Sequence, residues 1–212
     1  MEIHIWSDVA CPFCYIGREH LLNALKLSGL EDVHLTWHSF QLDPSISKDD
    51  EGESILNHLS VKKGMTLSQV EQMIGSVASM GREAGLTLNL TSTQVYNTLP
   101  CHLVLQYAKS RGLGDAMKHT LLERHFVRNQ NLSEVSNLNQ ALQEIGITDM
   151  DASSILSDER WMRKVEDDLY TAQQFNIRGV PFFVFDNKYA LSGAQPVDVF
   201  VRVLKQTLED SK

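Results

Sequence analysis

The chain has 212 residues, which suits one large domain or a small domain that carries an insertion. Hydrophobic residues make up 42% of it and charged residues 22%, as is ordinary for a soluble globular protein. The net charge is −8 and no block rich in lysine or arginine occurs, which argues against nucleic acid or an anionic membrane surface as a partner. No stretch approaches the ~18–20 apolar residues that span a bilayer, and no secretory signal pattern follows Met1, so we expect a cytoplasmic protein without membrane contact.

The first predicted elements form a strand–helix–strand unit. Residues 2–7 are rich in β-branched and aromatic side chains and predict a strand. A helix is predicted from about 12 to 28, because apolar residues recur at helical spacing and Ser28-Gly29 is a typical C-terminal signal. Residues 33–40 alternate between apolar and polar side chains and predict a second strand, which the intervening helix makes parallel to the first.

A long helical block follows the second strand. Residues 43–53 are polar and acidic and are predicted to form a linker or an exposed excursion. From about 54 to 176 the pattern is helical throughout. We expect helices that begin at Thr66 or Ser68, at Thr98, near 114, at Ser133 or Ser136, near 150 and at Ser157 or Asp158, and that end near 84, 111, 127, 145, 156 and 175.

The last part of the chain returns to strand patterns. Residues 180–185 form a short apolar run, Asp186-Asn187 is a turn signal, and residues 188–191 predict a strand that completes a hairpin. Pro196 is a typical first residue of the final helix.

This order of elements predicts an α/β fold in which a helical block interrupts a small domain. We expect residues 1–45 and 158–212 to form the small α/β domain and residues 46–157 to form the insertion. One core would then be shared by segments that are distant in sequence.

The sequence Cys11-Pro12-Phe13-Cys14 lies between the first strand and the first helix. A cysteine at a helix N-terminus faces unpaired N–H groups and the positive end of the helix dipole, so the pKa of Cys11 is expected to fall from ~8.5 into the ~3.5–7.5 range. Cys14, one turn later, can attack a mixed disulfide formed on Cys11. The pair therefore predicts dithiol–disulfide exchange, with a pair of core cysteines or half of a zinc site as alternatives.

The third cysteine, Cys101, is an unfavourable fourth-ligand candidate for a zinc site. A structural zinc site takes four ligands, and Cys101 and His102 could complete one only if both adjacent side chains turned inward on a helix. We therefore predict no metal ion, and Cys101 is expected to be a buried apolar side chain, with a second redox partner as the alternative. His34 and His38 share a face of the second strand, which is expected to be polar rather than metal-binding.

Several motifs spread over most of the chain resemble those of the thioredoxin superfamily, and within it the DsbA family and its FrnE-like branch. They are the stretch from Ser7 to Gly17, Asn97-Thr98 leading into His102 and Tyr107-Ala108-Lys109, Gly179-Val180-Pro181-Phe182-Phe183, and Ser192-Gly193-Ala194-Gln195-Pro196. The resemblance implies a thioredoxin fold with an inserted all-helical domain and the activity of a thiol–disulfide oxidoreductase without a cofactor. Its partners would be protein or small-molecule thiols and disulfides, glutathione among them, and both a monomer and a homodimer remain open.

The resemblance also assigns roles beside the cysteines. It implies a cis bond between Val180 and Pro181, in a loop where the backbone of Val180 could pair with an incoming chain. Pro12 and Phe13 are the candidates for tuning the thiol pKa. Periplasmic DsbA oxidants carry histidine where this chain has Phe13, which neither donates a hydrogen bond nor carries charge, so a milder oxidant or a net reductant is expected.

Two other classes of function share this pattern. The hydroxychromene-carboxylate isomerases and kappa-class glutathione transferases have the same architecture, but they carry a serine at the first active position and activate glutathione. The thiols of Cys11 and Cys14 argue against that class, because a thiol cofactor does not need a pair of protein thiols. A non-catalytic binding module with a regulatory cysteine pair is the second alternative.

Overall fold

A computed structural model describes residues 1–47 and 52–210. Residues 48–51 of the predicted linker and the last two residues of the predicted α/β domain lie outside the described residues. In chain order the elements are β1 (Glu2–Ser7), α1 (Pro12–Leu27), β2 (His34–Ser39), β3 (Glu53–Ser54), α2 (Ile55–Asn57), a π-helical turn (His58–Lys62), α3 (Leu67–Glu83), a 3-10 turn (Leu90–Ser92), β4 (Gln94–Val95), α4 (Leu99–Ser110), α5 (Gly114–Phe126), α6 (Val135–Glu144), α7 (Ala152–Leu156), α8 (Glu159–Gln174), β5 (Phe182–Phe185), β6 (Tyr189–Ser192) and α9 (Val197–Glu209).

A four-stranded sheet joins the two ends of the chain in the order β2–β1–β5–β6. β1 runs parallel to β2, with Trp6 opposite His38, and antiparallel to β5, with Ile5 opposite Phe183. The hairpin of β5 and β6 turns through Asp186, whose φ is +44°, and its neighbour. The predicted βαβ unit and the predicted hairpin are both confirmed, and the fold is the α/β thioredoxin fold with a helical insertion.

Helix α1 positions the start of the candidate site. Pro12 stands in its first turn, where a missing N–H breaks no hydrogen bond. Its inner face packs on α9, and Leu21 and Ala24 share the core with Phe200 and Leu204. Because this face is buried against a second helix, the N-terminus of α1 is held at the end of β1.

Within the helical insertion, which we define as α2 to α7, helices α5, α6 and α7 pack against α4. Almost every residue of α4 from Leu99 to Ala108 is buried. Its Val104 and Leu105 belong to the same hydrophobic core as Ile3 and Ile5 of the sheet. The insertion therefore shares a core with the α/β part.

Three sequence predictions within the insertion are wrong in detail. The pattern predicts helices throughout, but β3 and β4 form an antiparallel ribbon of two residues each, which is too short to show a periodicity. Thr98 precedes α4 as expected, yet the capping bond comes from Asn97, whose side chain accepts from the N–H of Leu99 at 2.9 Å. Neither Ser133 nor Ser136 caps α6, which begins after Glu134, because Ser133 is held by the side chain of the residue two positions before it.

The other predicted helix starts agree with the structure. Thr66 and Gln69 form the capping box of α3, and Asp158 caps α8. Within the described residues, no helix is long and apolar enough to cross a membrane.

Candidate active site

The cysteine pair lies at the junction of β1 and α1. Cys11 is the N-cap of the helix with an extended backbone, and the N–H of Cys14 donates to the Cys11 carbonyl at 3.0 Å. Both thiols are free; Cys11 is 5% exposed and Cys14 is completely buried. Of the two cysteines, only Cys11 therefore keeps any exposed surface. Of the two residues between them, Phe13 is partly exposed.

The loop that precedes β5 lies against Cys11. The Val180–Pro181 bond is cis, as the resemblance implied. The Cys11 thiol donates to the carbonyl oxygen of Val180 at 3.4 Å. Gly17 of α1 allows this approach, because a Cβ atom there would lie 3.0 Å from Cγ of Pro181. The structure thus brings together the residues predicted for catalysis and for substrate pairing.

The pKa values of the two thiols are shifted in the opposite sense to the sequence prediction. A hydrogen bond to Cys14, together with burial, raises the pKa of Cys11 well above its ordinary value. Burial alone would raise the pKa of Cys14, but the hydrogen bond from Cys11 and the positive charge of Lys118 lower it. The expected fall in the pKa of Cys11 is therefore wrong, because the lowered pKa belongs to Cys14.

Lys118 of α5 is the unexpected member of the site. Its side chain is fully buried; the ammonium donates to the carbonyl of Ser7 at 3.4 Å and lies 5.6 Å from the centre of the Trp37 ring. Among the described residues, no carboxylate lies within ion-pair distance of it. Burial lowers the pKa of Lys118, whereas the charges of Cys14 and Asp8 oppose that change. A thiolate is thus a counter-charge that this ammonium otherwise lacks.

Asp8, the residue after β1, is buried beside the thiols. One carboxylate oxygen lies 3.2 Å from Nε2 of His102, and the other accepts from the N–H of Leu42 at 2.8 Å. Burial alone would raise the pKa of Asp8, but these hydrogen bonds lower it. The sequence prediction gave no role at the site to Asp8, His102 or Lys118, although the position of Asp8 three residues before Cys11 was a signal. Lys118 gave none, because a lysine on a predicted helix reads as a surface residue.

A second buried network lies on the other face of β1. Nδ1 of His38 lies 2.5 Å from Asp168 of α8, and Nε2 of the same ring lies 3.0 Å from His4. Asp168 also accepts from the backbone N–H of Ser39 at 2.7 Å and from the side chain of Gln106 at 2.5 Å. These contacts connect the sheet, the insertion and α8.

The other residues that the sequence analysis considered as metal ligands or redox partners are Cys101, His102 and His34. Cys101 is buried, as predicted; its thiol donates to the Leu132 carbonyl at 3.8 Å, and burial raises its pKa. His102 is buried as well, but it lies against Asp8 whereas Cys101 contacts the Leu132 carbonyl, so the two adjacent side chains have different partners. His34 is exposed. Over residues 1–47 and 52–210, no group of three His, Cys, Asp or Glu side chains could hold a metal ion.

Comparisons with known proteins show the family of this chain. A protein-family model described as DSBA-like thioredoxin domain matches residues 2–205. The chain is 30% identical to a probable DsbA oxidoreductase, SCO1869 from Streptomyces coelicolor, with a TM-score of 0.93 over 99% of this chain and 90% of that one. It resembles the cytosolic disulfide reductase DsbM from Pseudomonas aeruginosa in fold, with 18% identity and a TM-score of 0.66 over 99% of each chain, and DsbM is also known with glutathione. The uncharacterized protein YwbO of Bacillus subtilis (strain 168) is 24% identical over 207 residues, which cover 96% of both chains.

Proposed function

We propose that this chain, which belongs to the family of DSBA-like thioredoxin domains, is a thiol–disulfide oxidoreductase of the FrnE-like branch that works through Cys11 and Cys14. The observation that carries the proposal is the pair itself: two free thiols one turn apart at the N-terminus of α1, with the Cys11 thiol against the Val180 carbonyl. Such an arrangement suits exchange, because Cys11 keeps some exposed surface whereas Cys14 is completely buried.

In this mechanism Cys11 is the attacking thiol and Cys14 the resolving one. The proton of Cys11 moves to Cys14, and the Cys11 thiolate attacks a substrate disulfide R–S–S–R′. A Cys11–S–S–R bond forms, and the leaving R′S⁻ takes the proton from Cys14 and departs as R′SH. The Cys14 thiolate formed in this way, stabilised by Lys118, then attacks the Cys11 sulfur and releases RS⁻. The substrate is reduced by two electrons while the cysteine pair is oxidised, and the reverse sequence transfers a disulfide to a substrate.

The residues around the pair have the roles that the family resemblance suggests. Pro12 and Phe13 tune the thiol pKa, while the loop of Val180 and Pro181 positions the incoming chain. Thiols and disulfides are the partners, with glutathione as a candidate electron donor because DsbM is known with it. The similarity to a cytosolic reductase also supports a cytoplasmic location.

The division of the chain into residues 1–45 and 158–212 around an insertion at 46–157 belongs to the same proposal. It is supported by the sheet, whose four strands come from the first and last of these segments.

Turnover of insulin or of a low-molecular-weight disulfide tests the activity. We expect turnover by the wild type, and none by Cys11→Ser or Cys14→Ser. Cys14→Ser should accumulate mixed disulfides on Cys11, whereas Cys11→Ser should form none. Cys101→Ser is the matched control, because Cys101 is buried and away from the exchange path.

Two outcomes would contradict the proposal. Binding of glutathione without disulfide turnover would favour a glutathione-dependent isomerase or transferase. Neither turnover nor trapping, in a protein that still forms the Cys11–Cys14 disulfide, would favour a redox-regulated binding module.

A further inference from the structure

An apolar cavity of about 340 Å³ has Cys11 among its lining residues. The start of α1, including Cys11 and Phe13, forms one wall. The helical insertion forms most of the rest, with Met73 and Val77 of α3 on one side and Phe126 of α5 on another. The cavity lies next to the exchanging sulfur, and its size is within the range of small-molecule sites.

The polar groups of this cavity are uncharged near neutral pH. The floor carries Tyr96 and His125, whose hydroxyl oxygen and Nδ1 lie 2.7 Å apart and so satisfy each other. Burial lowers the pKa of His125 to about 4, so the imidazole is neutral at pH 7. Among the described residues, the lining contains no aspartate, glutamate, lysine or arginine.

We infer that this cavity binds the uncharged aryl or alkyl substituent of a small-molecule thiol, so that disulfides of apolar thiols are preferred substrates. The inference rests on the proposed function, since it concerns the group that becomes attached to Cys11. A substituent within a few bonds of the reacting sulfur enters the cavity as Cys11 forms its mixed disulfide, and burying it removes apolar surface from water.

Glutathione is a poor occupant of the same cavity. It carries two carboxylates and an ammonium group, and the described lining offers no charge to pair with them. Burying such groups without partners is costly. Glutathione can therefore act as an electron donor that reacts with the cysteine pair without entering the cavity, but it is not the preferred ligand of the cavity.

Transfer of a thiol group to Cys11 from methanethiosulfonates tests this inference directly. In the Cys14→Ser variant the Cys11 thiolate attacks R–S–SO₂CH₃, which forms Cys11–S–S–R and releases methanesulfinate whatever R is. We would compare R = benzyl, methyl and 2-sulfonatoethyl, and divide each second-order rate constant by that of free N-acetylcysteine. The benzyl-to-methyl ratio should exceed that of the free thiol by ~10-fold or more, because a benzyl group is desolvated in the cavity. The sulfonatoethyl-to-methyl ratio should fall below that of the free thiol.

Two methionines on α3 provide a matched pair of variants. Met73 and Met80 are 37% and 38% exposed, but only Met73 lines the cavity. Met73→Asp should reduce the benzyl-to-methyl ratio ~10-fold, whereas Met80→Asp should leave it unchanged. Leu42, also exposed and lining the cavity, gives a second variant, Leu42→Asp, if Met73→Asp does not fold.

Failure of this inference differs from failure of the proposed function. Ratios equal to those of the free thiol, or equal effects of Met73→Asp and Met80→Asp, would overturn the cavity assignment even if disulfide turnover is normal. A benzyl preference in a protein that turns over no disulfide would instead retain the cavity and overturn the oxidoreductase.

Discussion

The two faces of β1 carry two buried polar networks that differ in how completely their charges are paired. On the face toward α8, the Asp168 carboxylate accepts from a backbone N–H, an imidazole and an amide, with the ammonium of Lys109 at 3.7 Å. On the face toward the thiols, Asp8 is similarly satisfied, but the ammonium of Lys118 has one backbone carbonyl at 3.4 Å.

This difference indicates which network holds the fold together and which one is arranged for chemistry. A fully paired carboxylate has little to gain from a change in its neighbours, and removing it leaves several donors buried without an acceptor. A buried ammonium without a carboxylate is costly in itself, yet it stabilises any anion that forms beside it. The anion available here is the thiolate of Cys14.

The largest effect is expected from Asp168→Asn, which tests the fully paired side. The amide of asparagine removes the negative charge, and its NH₂ group faces the N–H groups that donate to the carboxylate in the wild type. The free energy of unfolding should therefore fall by about 3 kcal/mol. Chemical denaturation measures this, and the thiol pKa values should stay those of the wild type. A loss of stability below about 0.5 kcal/mol, or a shifted thiol pKa, would remove the distinction between the two faces.

Measuring the free energy of unfolding against pH separates the contribution of His125, which lines the cavity, from the contributions of Asp8 and Asp168. The pKa of His125 is about 4 in the folded protein and 6.5 as an unperturbed group. A lowered histidine pKa gives stability that is present above pH 6.5 and lost as the pH falls toward 4, by about 3 kcal/mol between pH 7 and 4. Asp8 and Asp168 also have lowered pKa values, but their contributions are lost only at still lower pH.

His125→Gln checks this assignment, because glutamine keeps a polar partner for Tyr96 but does not titrate. Unfolding free energy of the variant should vary less between pH 7 and 4 than that of the wild type. Identical pH profiles for the two proteins would show that another group titrates in this window.

A smaller effect is expected from Lys118→Met on the thiol side. Loss of the ammonium should raise the pKa of Cys14 by ~1 unit, equivalent to about 1.4 kcal/mol. Because the reduced thiolate form is then less stable, the disulfide becomes less oxidising, by about 30 mV. Ultraviolet thiolate absorbance and a redox titration measure the two shifts. Stability should be unchanged or higher, since a buried charge is replaced by a thioether.

Lys109→Met is the matched control for that experiment. Lys109 lies next to Asp168, so its loss should leave the thiols unchanged. Equal shifts in the two variants would mean that general charge, and not the position of Lys118, sets the thiol pKa.

The smallest effect is expected from Phe13→His. Phe13 is partly exposed, so solvent screens an added charge there, and we expect the disulfide to become more oxidising by only about 10 mV. Phe13→Asn separates charge from the loss of the aromatic ring. No change in potential with Phe13→His would exclude this position as a tuning element.

The sequence predicts those parts of the molecule in which local patterns decide the structure. The alternation of β2, the capping box of Thr66 and the cysteine spacing at the start of α1 each involve neighbours within a few residues. The two polar networks on either side of β1 cannot be predicted from local patterns, because their members are far apart in sequence: Lys118 donates to the carbonyl of Ser7, 111 positions away. The prediction that Cys11 has the lowered pKa is wrong for the same reason, because the pKa values of Cys11 and Cys14 depend on burial and on the distant charge of Lys118.

The shared core has a consequence for how proteins of this kind diverge. Most of the cavity wall and the ammonium beside Cys14 come from the helical insertion, whereas the two sulfurs come from the start of the first helix. Selection can therefore change substrate preference and reducing power by mutations in the insertion, with the cysteine motif left intact. Two descendants with identical active-site tetrapeptides could then serve different metabolites, and ranking paralogues by that tetrapeptide would group together enzymes with different tasks.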